Sequence, residues 1–378
     1  MKSTKTFTLL SIFLILATFN SCKKEPEVKK VDKVSATKCP RVASLATVKS
    51  SALYTVSTYA GDDYFRHQQA NSVYSNVDGV LCDARFMNPH GIAINPEGTI
   101  YISDLIAIRK IDTKGMVSTF AGKPDGGYND YGYEDGEGAV ARFLHPKKIV
   151  LDKNGHLYVI DHERQSMRKV SPSAQVTSLF QNWGYQDGPL SEAKFLTWFY
   201  TMTTGPDGSL YLFDGNHVIR KITPEGHVST FAGPQTILRD GPKESALLGE
   251  ISDMAFAPDG SLYFCDMLYN KLRKITPAGD VETISNLIDP INNWISHPSL
   301  AISNRGVIYI SNYFQIFRLD ADGIPRLVAG SPVTAGNYTP TKDGVGTQAR
   351  FNYIKKMAIH KNYLYLTDGT TVRRMNIE

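Results

Sequence analysis

The sequence predicts an all-β fold: a six-bladed β-propeller of four-stranded antiparallel blades, closed by an N-terminal strand. Two observations carry this. A Tyr-x-x-Asp signature recurs at Tyr101–Asp104, Tyr158–Asp161, Tyr211–Asp214, Tyr263–Asp266 and Tyr365–Asp368, with Tyr309–Asn312 as a sixth copy, at steps of 46 to 57 residues. A basic signature follows each copy, as in Arg109-Lys110-Ile111, Arg168-Lys169-Val170 and Arg220-Lys221-Ile222. A period near fifty with four short strands per unit is the mark of propeller blades.

The first complete repeat, Ala84–Gly122, shows how a blade is built. Gly91–Asn95, Thr99–Asp104, Ile108–Asp112 and Val117–Ala121 are strand-length runs rich in Ile, Val, Tyr, Thr and Phe. Pro96-Glu97-Gly98 and Thr113-Lys114-Gly115 separate them with turn chemistry, and Leu105–Ala107 links the second run to the third. The sixth copy stops after its third strand. Its missing Val-Ser-Thr-Phe-Ala-Gly strand has a counterpart ahead of the first repeat, at Val56–Gly61, so Tyr54–Ala60 is expected to complete the last blade and close the ring. The repeats with these spacings, together with the Asp-Gly-x4-Ala-Arg-Phe element before them, resemble NHL-repeat propeller lipoproteins of the Bacteroidetes type. That resemblance implies the fold strongly and the activity weakly. Propellers of this kind include binding scaffolds, sensors and a lyase, and related rings include lactonases.

The organisation reads as three segments. Residues 1–21 form a lipoprotein-type signal: Lys2 and Lys5 precede the apolar run Phe7–Phe19, which is too short to span a membrane comfortably. Cys22 then stands where a lipoprotein would be cleaved and lipidated; the plainer alternative is an ordinary secretory signal beside a chance cysteine. Residues 22–53 read as a flexible tether, and residues 54–378 as the propeller. The expected location is the bacterial cell envelope, anchored by lipid, in the outer membrane. Of the four cysteines, Cys265 falls inside a strand and reads as a core residue, while Cys39 and Cys82 could pair or remain free thiols. The 41 basic and 37 acidic residues are interspersed, and no basic field argues for nucleic acid.

Recurrence separates scaffold from site. The aspartates that end each second strand recur and so read as turn acceptors. Those of the Asp-Gly elements, Asp78, Asp135, Asp187, Asp240 and Asp343, recur as well, with Phe86, Phe143, Phe195 and Phe351 expected between blades and the neighbouring bases making modest surface pairs. What differs from blade to blade is the channel mouth and the inter-blade loops. The mouth is expected to be lined by His90, Lys147, Lys148, Tyr200, Asp253, Lys355 and Lys356, a basic ring suited to a carboxylate or an acidic sugar. The loops carry Tyr131, Tyr133, Trp183, Tyr185 and Trp294, flat faces suited to sugar rings or peptides, unless they pack the loops onto the blades. No catalytic residue, metal set or cofactor motif is singled out. The favoured reading is a binding scaffold for a glycan, peptide or envelope protein. The alternative is a metal-dependent hydrolase or lyase in the channel, for which the resemblance would require acidic, Asn or His ligands, with His90, Asp253 and His297 as the residues at hand.

Overall fold

The computed structural model describes residues 53–62, 76–124, 130–163, 166–180, 183–196, 199, 201–215, 217–233, 240–287, 297–331 and 341–378. These residues form six antiparallel sheets, with no α-helix among them. In the first blade the innermost strand is Pro89–Ile94, followed outward by Ile100–Asp104, Ala107–Ile111 and Met116–Gly122. The turns on one face are as short as their sequences imply. At Thr113–Gly115 the Asp112 carboxylate accepts from the N–H groups of Lys114 and Met116, and Gly115 sits at φ +84°, where a side chain would be strained.

The ring closes as expected. Thr55–Ala60 pairs with the last strand, Thr371–Asn376, through Val56↔Met375, Ser57↔Arg374 and Thr58↔Arg373. Tyr59 packs edge-on against Tyr365 at 5.2 Å, which seals the seam with aromatic surface.

Five of the six sheets carry a fifth strand that periodicity did not reveal. Each Asp-Gly element supplies two residues, such as Gly79–Val80 and Gly136–Glu137, that pair with the outermost strand of the same blade. Two residues are too few to show a period. The blade of Ser299–Ala329 has only four strands.

The same elements anchor a repeated internal clamp. Arg109, Arg168, Arg220, Arg273 and Arg373, all on third strands, have wholly buried side chains. Each reaches one half-exposed aspartate of an Asp-Gly element and one buried aspartate at the end of the second strand. Arg220, for example, lies 2.6 Å from Asp187 and 3.0 Å from Asp214, and also donates to the carbonyls of Lys194 and Gln186. Bases next to the Asp-Gly turns were expected to pair there; the partner is instead the third-strand arginine, because the short fifth strand brings its aspartate over that position. The residues that end the second strands meet the expected turn only in part: Asp266 accepts from the Tyr269 N–H, and Asn312 from those of Phe314 and Gln315, in the turn that follows. Asp161 accepts from the N–H groups of Leu144 and His145, in the connection before the innermost strand rather than in the following turn. Antiparallel pairing of Pro146 with Asp161 places the carboxylate there. Cys82 stands in a disulfide, and Cys39 lies outside the described residues. Cys265 is free and buried, as expected.

The aromatics of the Asp-Gly elements fill the spaces between blades. Phe143 is fully buried among Ala93, Ile108 and Ala121 of the preceding blade and Ile149 and Leu157 of its own. Burying such a ring contributes roughly 2–3 kcal/mol. Repeated around the ring, these wedges fix the inner strands that build the channel.

Candidate functional site

The channel is lined by the starts of the innermost strands, and four of those starts are β-bulges. In the first blade Pro89 pairs with Asp104 and Ile92 with Ile102, so His90 and Gly91 together oppose Ser103. Lys147 and Lys148 oppose Ile160 in the same way, and Lys355 and Lys356 oppose Thr367. Between Ile251 and Asp253 the register shifts by one residue, at Ser252. A bulge re-aims side chains that strict alternation would send to opposite faces. Here it lets two consecutive residues of one strand serve the channel.

The deeper layer takes one residue from each blade: Gly91, Lys148, Thr201, Asp253, Ser299 and Lys356. Asp253, 1% exposed, is its centre. One carboxylate oxygen accepts from Lys148 Nζ at 2.6 Å and Thr201 Oγ1 at 3.0 Å; the other accepts from Ser299 Oγ at 2.9 Å and the Leu300 N–H at 3.1 Å, with Lys356 Nζ at 3.3 Å. Burial alone would push the Asp253 carboxyl up, but the ammonium groups of Lys148 and Lys356 outweigh it and hold the group well below the usual carboxylate range. The channel is therefore crossed by an ion trio that, with the hydroxyls of Thr201 and Ser299, ties four blades to the fourth. Gly91 completes the layer without a side chain, and none would fit: a Cβ there would lie 2.1 Å from the Lys147 carbonyl oxygen. Ser103 spans this close approach, accepting from Gly91 N–H and donating to Lys147 O, each at 2.7 Å.

Above this layer lie His90, Lys147, Ser252, Pro298 and Lys355. Lys355 Nζ donates to Asn88 Oδ1 and to the Pro89 carbonyl at 2.9 Å, joining the last blade to the first. Lys147 and His90 differ from it. Among the described residues, no hydrogen bond or ion pair is made by the Lys147 ammonium or by the His90 ring, whose Nδ1 is buried. Burial, and then Lys355, Lys356, Lys147 and His162 around it, hold His90 well below its ordinary value, so the ring is neutral. Burial also lowers Lys147, against the opposing pull of Glu163.

The aromatic residues divide. Tyr133 lies over the guanidinium of Arg168 at 4.3 Å, and Tyr185 over that of Arg220 at 4.7 Å, so both cover rim clamps; the Tyr185 hydroxyl also bonds Thr230 Oγ1. Tyr131 packs edge-on against His145. Trp183 is 58% exposed and Tyr185 42%. Tyr200 and Trp294 lie outside the described residues. An aromatic stack beside the mouth escaped sequence reasoning: Tyr313 lies 4.1 Å from Tyr353 and 5.4 Å from His297, both near-parallel. Its residues sit on two kinds of loop, after a second strand and before an innermost strand, and only the ring geometry unites them.

The described residues of the channel do not suit a divalent cation: the buried acid is held by two lysines, His90 has three lysines and His162 near it, and no three His, Cys, Asp or Glu side chains gather into a ligand set.

Comparisons agree on architecture. A family model described as the teneurin NHL domain matches residues 75–130. Mouse Teneurin-3 is 24% identical over 225 residues, which is 52% of this chain but only 8% of that much longer protein. Among solved structures, an auxiliary nutrient binding protein from Bacteroides thetaiotaomicron superposes with a TM-score of 0.61 at 14% identity, over 85% of this chain and 76% of that one. A streptogramin B lyase gives 0.50 at 14% identity, over 87% of this chain and all of the lyase. Such identities speak for fold and not for chemistry. With six sheets in a strand-closed ring and these likenesses, the chain is a six-bladed β-propeller, similar to NHL-type propellers.

Proposed function

We propose that this propeller is a non-catalytic binding protein of the bacterial cell envelope, held by lipid on Cys22 at the outer membrane, with its mouth face presented to a glycan, peptide or protein partner. The supporting observation is the asymmetry of the two faces. One carries minimal turns such as Thr113–Gly115. The other carries the loops of exposed Trp183 and of the Tyr313–Tyr353 stack, and the strand starts with His90 and Lys147, whose ring and ammonium make no hydrogen bond among the described residues. Flat apolar rings and polar donors on one surface are what a sugar or peptide needs. The nutrient binding neighbour fits this reading. The lyase neighbour leaves a catalytic alternative in view; a metal-dependent form of it is disfavoured by the lysine-held Asp253.

The test is a binding screen over envelope and host-type polysaccharides with the intact protein and a Trp183→Ala, Trp294→Ala double variant. Stacking on an exposed ring is worth on the order of 1 kcal/mol, so the variant should bind several-fold more weakly with unchanged Tm. Undiminished binding would move the site off these loops. A fall in Tm would make the tryptophans part of the packing. In the same cells, Cys22→Ala should release the protein from the membrane fraction.

A further inference from the structure

We infer that the channel mouth is a carboxylate seat, in which His90 and Lys147 hold the acid group of an acidic sugar above the Asp253 ion trio. The inference rests on the binding reading above and narrows it to one ligand chemistry at one place.

The argument is one of unmatched donors. In the deeper layer every charge is accounted for: both oxygens of Asp253 are occupied, and Lys148 and Lys356 both point at it, with Lys356 also donating to the Ser252 carbonyl at 3.0 Å. Two lysines on one aspartate leave that layer with one positive charge in excess. Lys355 adds another, fixed to Asn88 and Pro89. Lys147 adds a third; it is half-buried and its ammonium makes no hydrogen bond or close ion pair among the described residues, feeling only the longer-range pull of Glu163. A half-buried ammonium so placed is stabilised by an anion far more than by water. The neighbouring His90 ring adds one N–H donor. A second, neutral nitrogen does not oppose a carboxylate as another acid would. The nearby acid, Glu163, lies 3.6 Å from His145 Nδ1 and attracts Lys147 without bonding it.

Geometry sets the size of the ligand. The ion trio floors the channel, so an anion enters from the mouth and stops at the upper layer. The Tyr313–Tyr353 stack, which ends two residues before Lys355 in the chain, offers a flat ring surface on the loops of the last two blades. A charge with an adjoining flat, hydroxylated ring describes a uronic acid better than a free inorganic anion.

The experiment titrates glucuronate, with glucose as the neutral control, into full-length protein by calorimetry, while the imidazole resonances of His90 are followed by NMR. Glucuronate should bind and shift the His90 signals, and glucose should do neither. Lys147→Met should weaken glucuronate roughly tenfold, the effect of losing one charge-assisted hydrogen bond, with Tm unchanged because the ammonium holds nothing in the fold. Lys147→Arg should restore most of the affinity. Equal response to glucuronate and glucose, or unweakened binding by Lys147→Met, would overturn the seat. Inorganic sulfate competing as well as glucuronate would reduce it to an adventitious ion site only and overturn the carboxylate assignment. The wider binding reading is judged separately by the polysaccharide screen, which can succeed through the outer aromatics while glucuronate fails here.

Discussion

The rim and the channel of this propeller both bury arginine or lysine against aspartate, yet to different ends. At the rim one arrangement is repeated in five blades: an arginine between two aspartates, one buried and one half-exposed, with carbonyls accepting from its terminal nitrogens while its buried Nε makes no hydrogen bond among the described residues. In the channel the blades mostly differ. Five residue types meet in one layer, lysine alone occurring twice, and a single aspartate serves both lysines. Repetition is how a fold secures its own parts. Asymmetry is how it addresses something outside. The blade of Ser299–Ala329 confirms the first half by exception: with Asn312 in place of the aspartate and no fifth strand, Arg318 is released to pair with Asp320 at 2.6 Å and with the Tyr54 hydroxyl.

The sharpest way to break the comparison is at the rim. Arg168→Met leaves Asp161 buried and unpaired, and should lower unfolding free energy in urea by about 3–5 kcal/mol. The partly exposed Arg318, treated identically, should change it by less than about 1 kcal/mol. Equal losses would show that burial of the clamp is not what matters.

A smaller effect is expected in the channel. Asp253→Asn leaves Lys148 and Lys356 facing each other, but lysine can turn toward water at the mouth or release its proton. The cost should be on the order of 2 kcal/mol in the same measurement. Further replacing Lys148 with Met should recover part of that loss, and a double variant weaker than the single one would contradict the trio as the reason.

The smallest effect is a slope against pH. His90 is neutral in the fold and charges in the unfolded chain below about pH 6.5, so its contribution is fully present above that pH and is lost as pH falls from there toward its depressed folded value. Tm measured between pH 7.5 and 5.5 should therefore decline less steeply for His90→Gln than for the parent. Parallel slopes would place the titration elsewhere.

The sequence and the structure agree where a physical need leaves a periodic trace. Blade count, the closing strand and the inter-blade phenylalanines were all legible, since each recurs at a fixed offset. The arginine of each Arg-Lys pair was visible as a signature but not as a clamp, because its two aspartates lie on different elements, as with Asp161 and Asp135 for Arg168. The mouth residues were legible as the positions that differ between blades. The pairing of Lys148 with Asp253 was not, since 105 positions separate them and only the curvature of the ring brings them together. Tyr133 and Tyr185 looked like free loop aromatics because nothing in a loop sequence marks a cation beneath it.

The closing strand also has a meaning in time. Thr58 and its Thr-to-Asp343 bonds join positions 285 apart, so the first strand of the propeller to leave the ribosome has no lasting partner until the final blade exists. Five blades can stack as they are made, each on its predecessor. Through that interval Thr55–Ala60 is an orphan edge, open to pairing with the wrong neighbour. Opening the ring elsewhere, with the present ends joined, would make that strand's contacts local and move the waiting period to another blade.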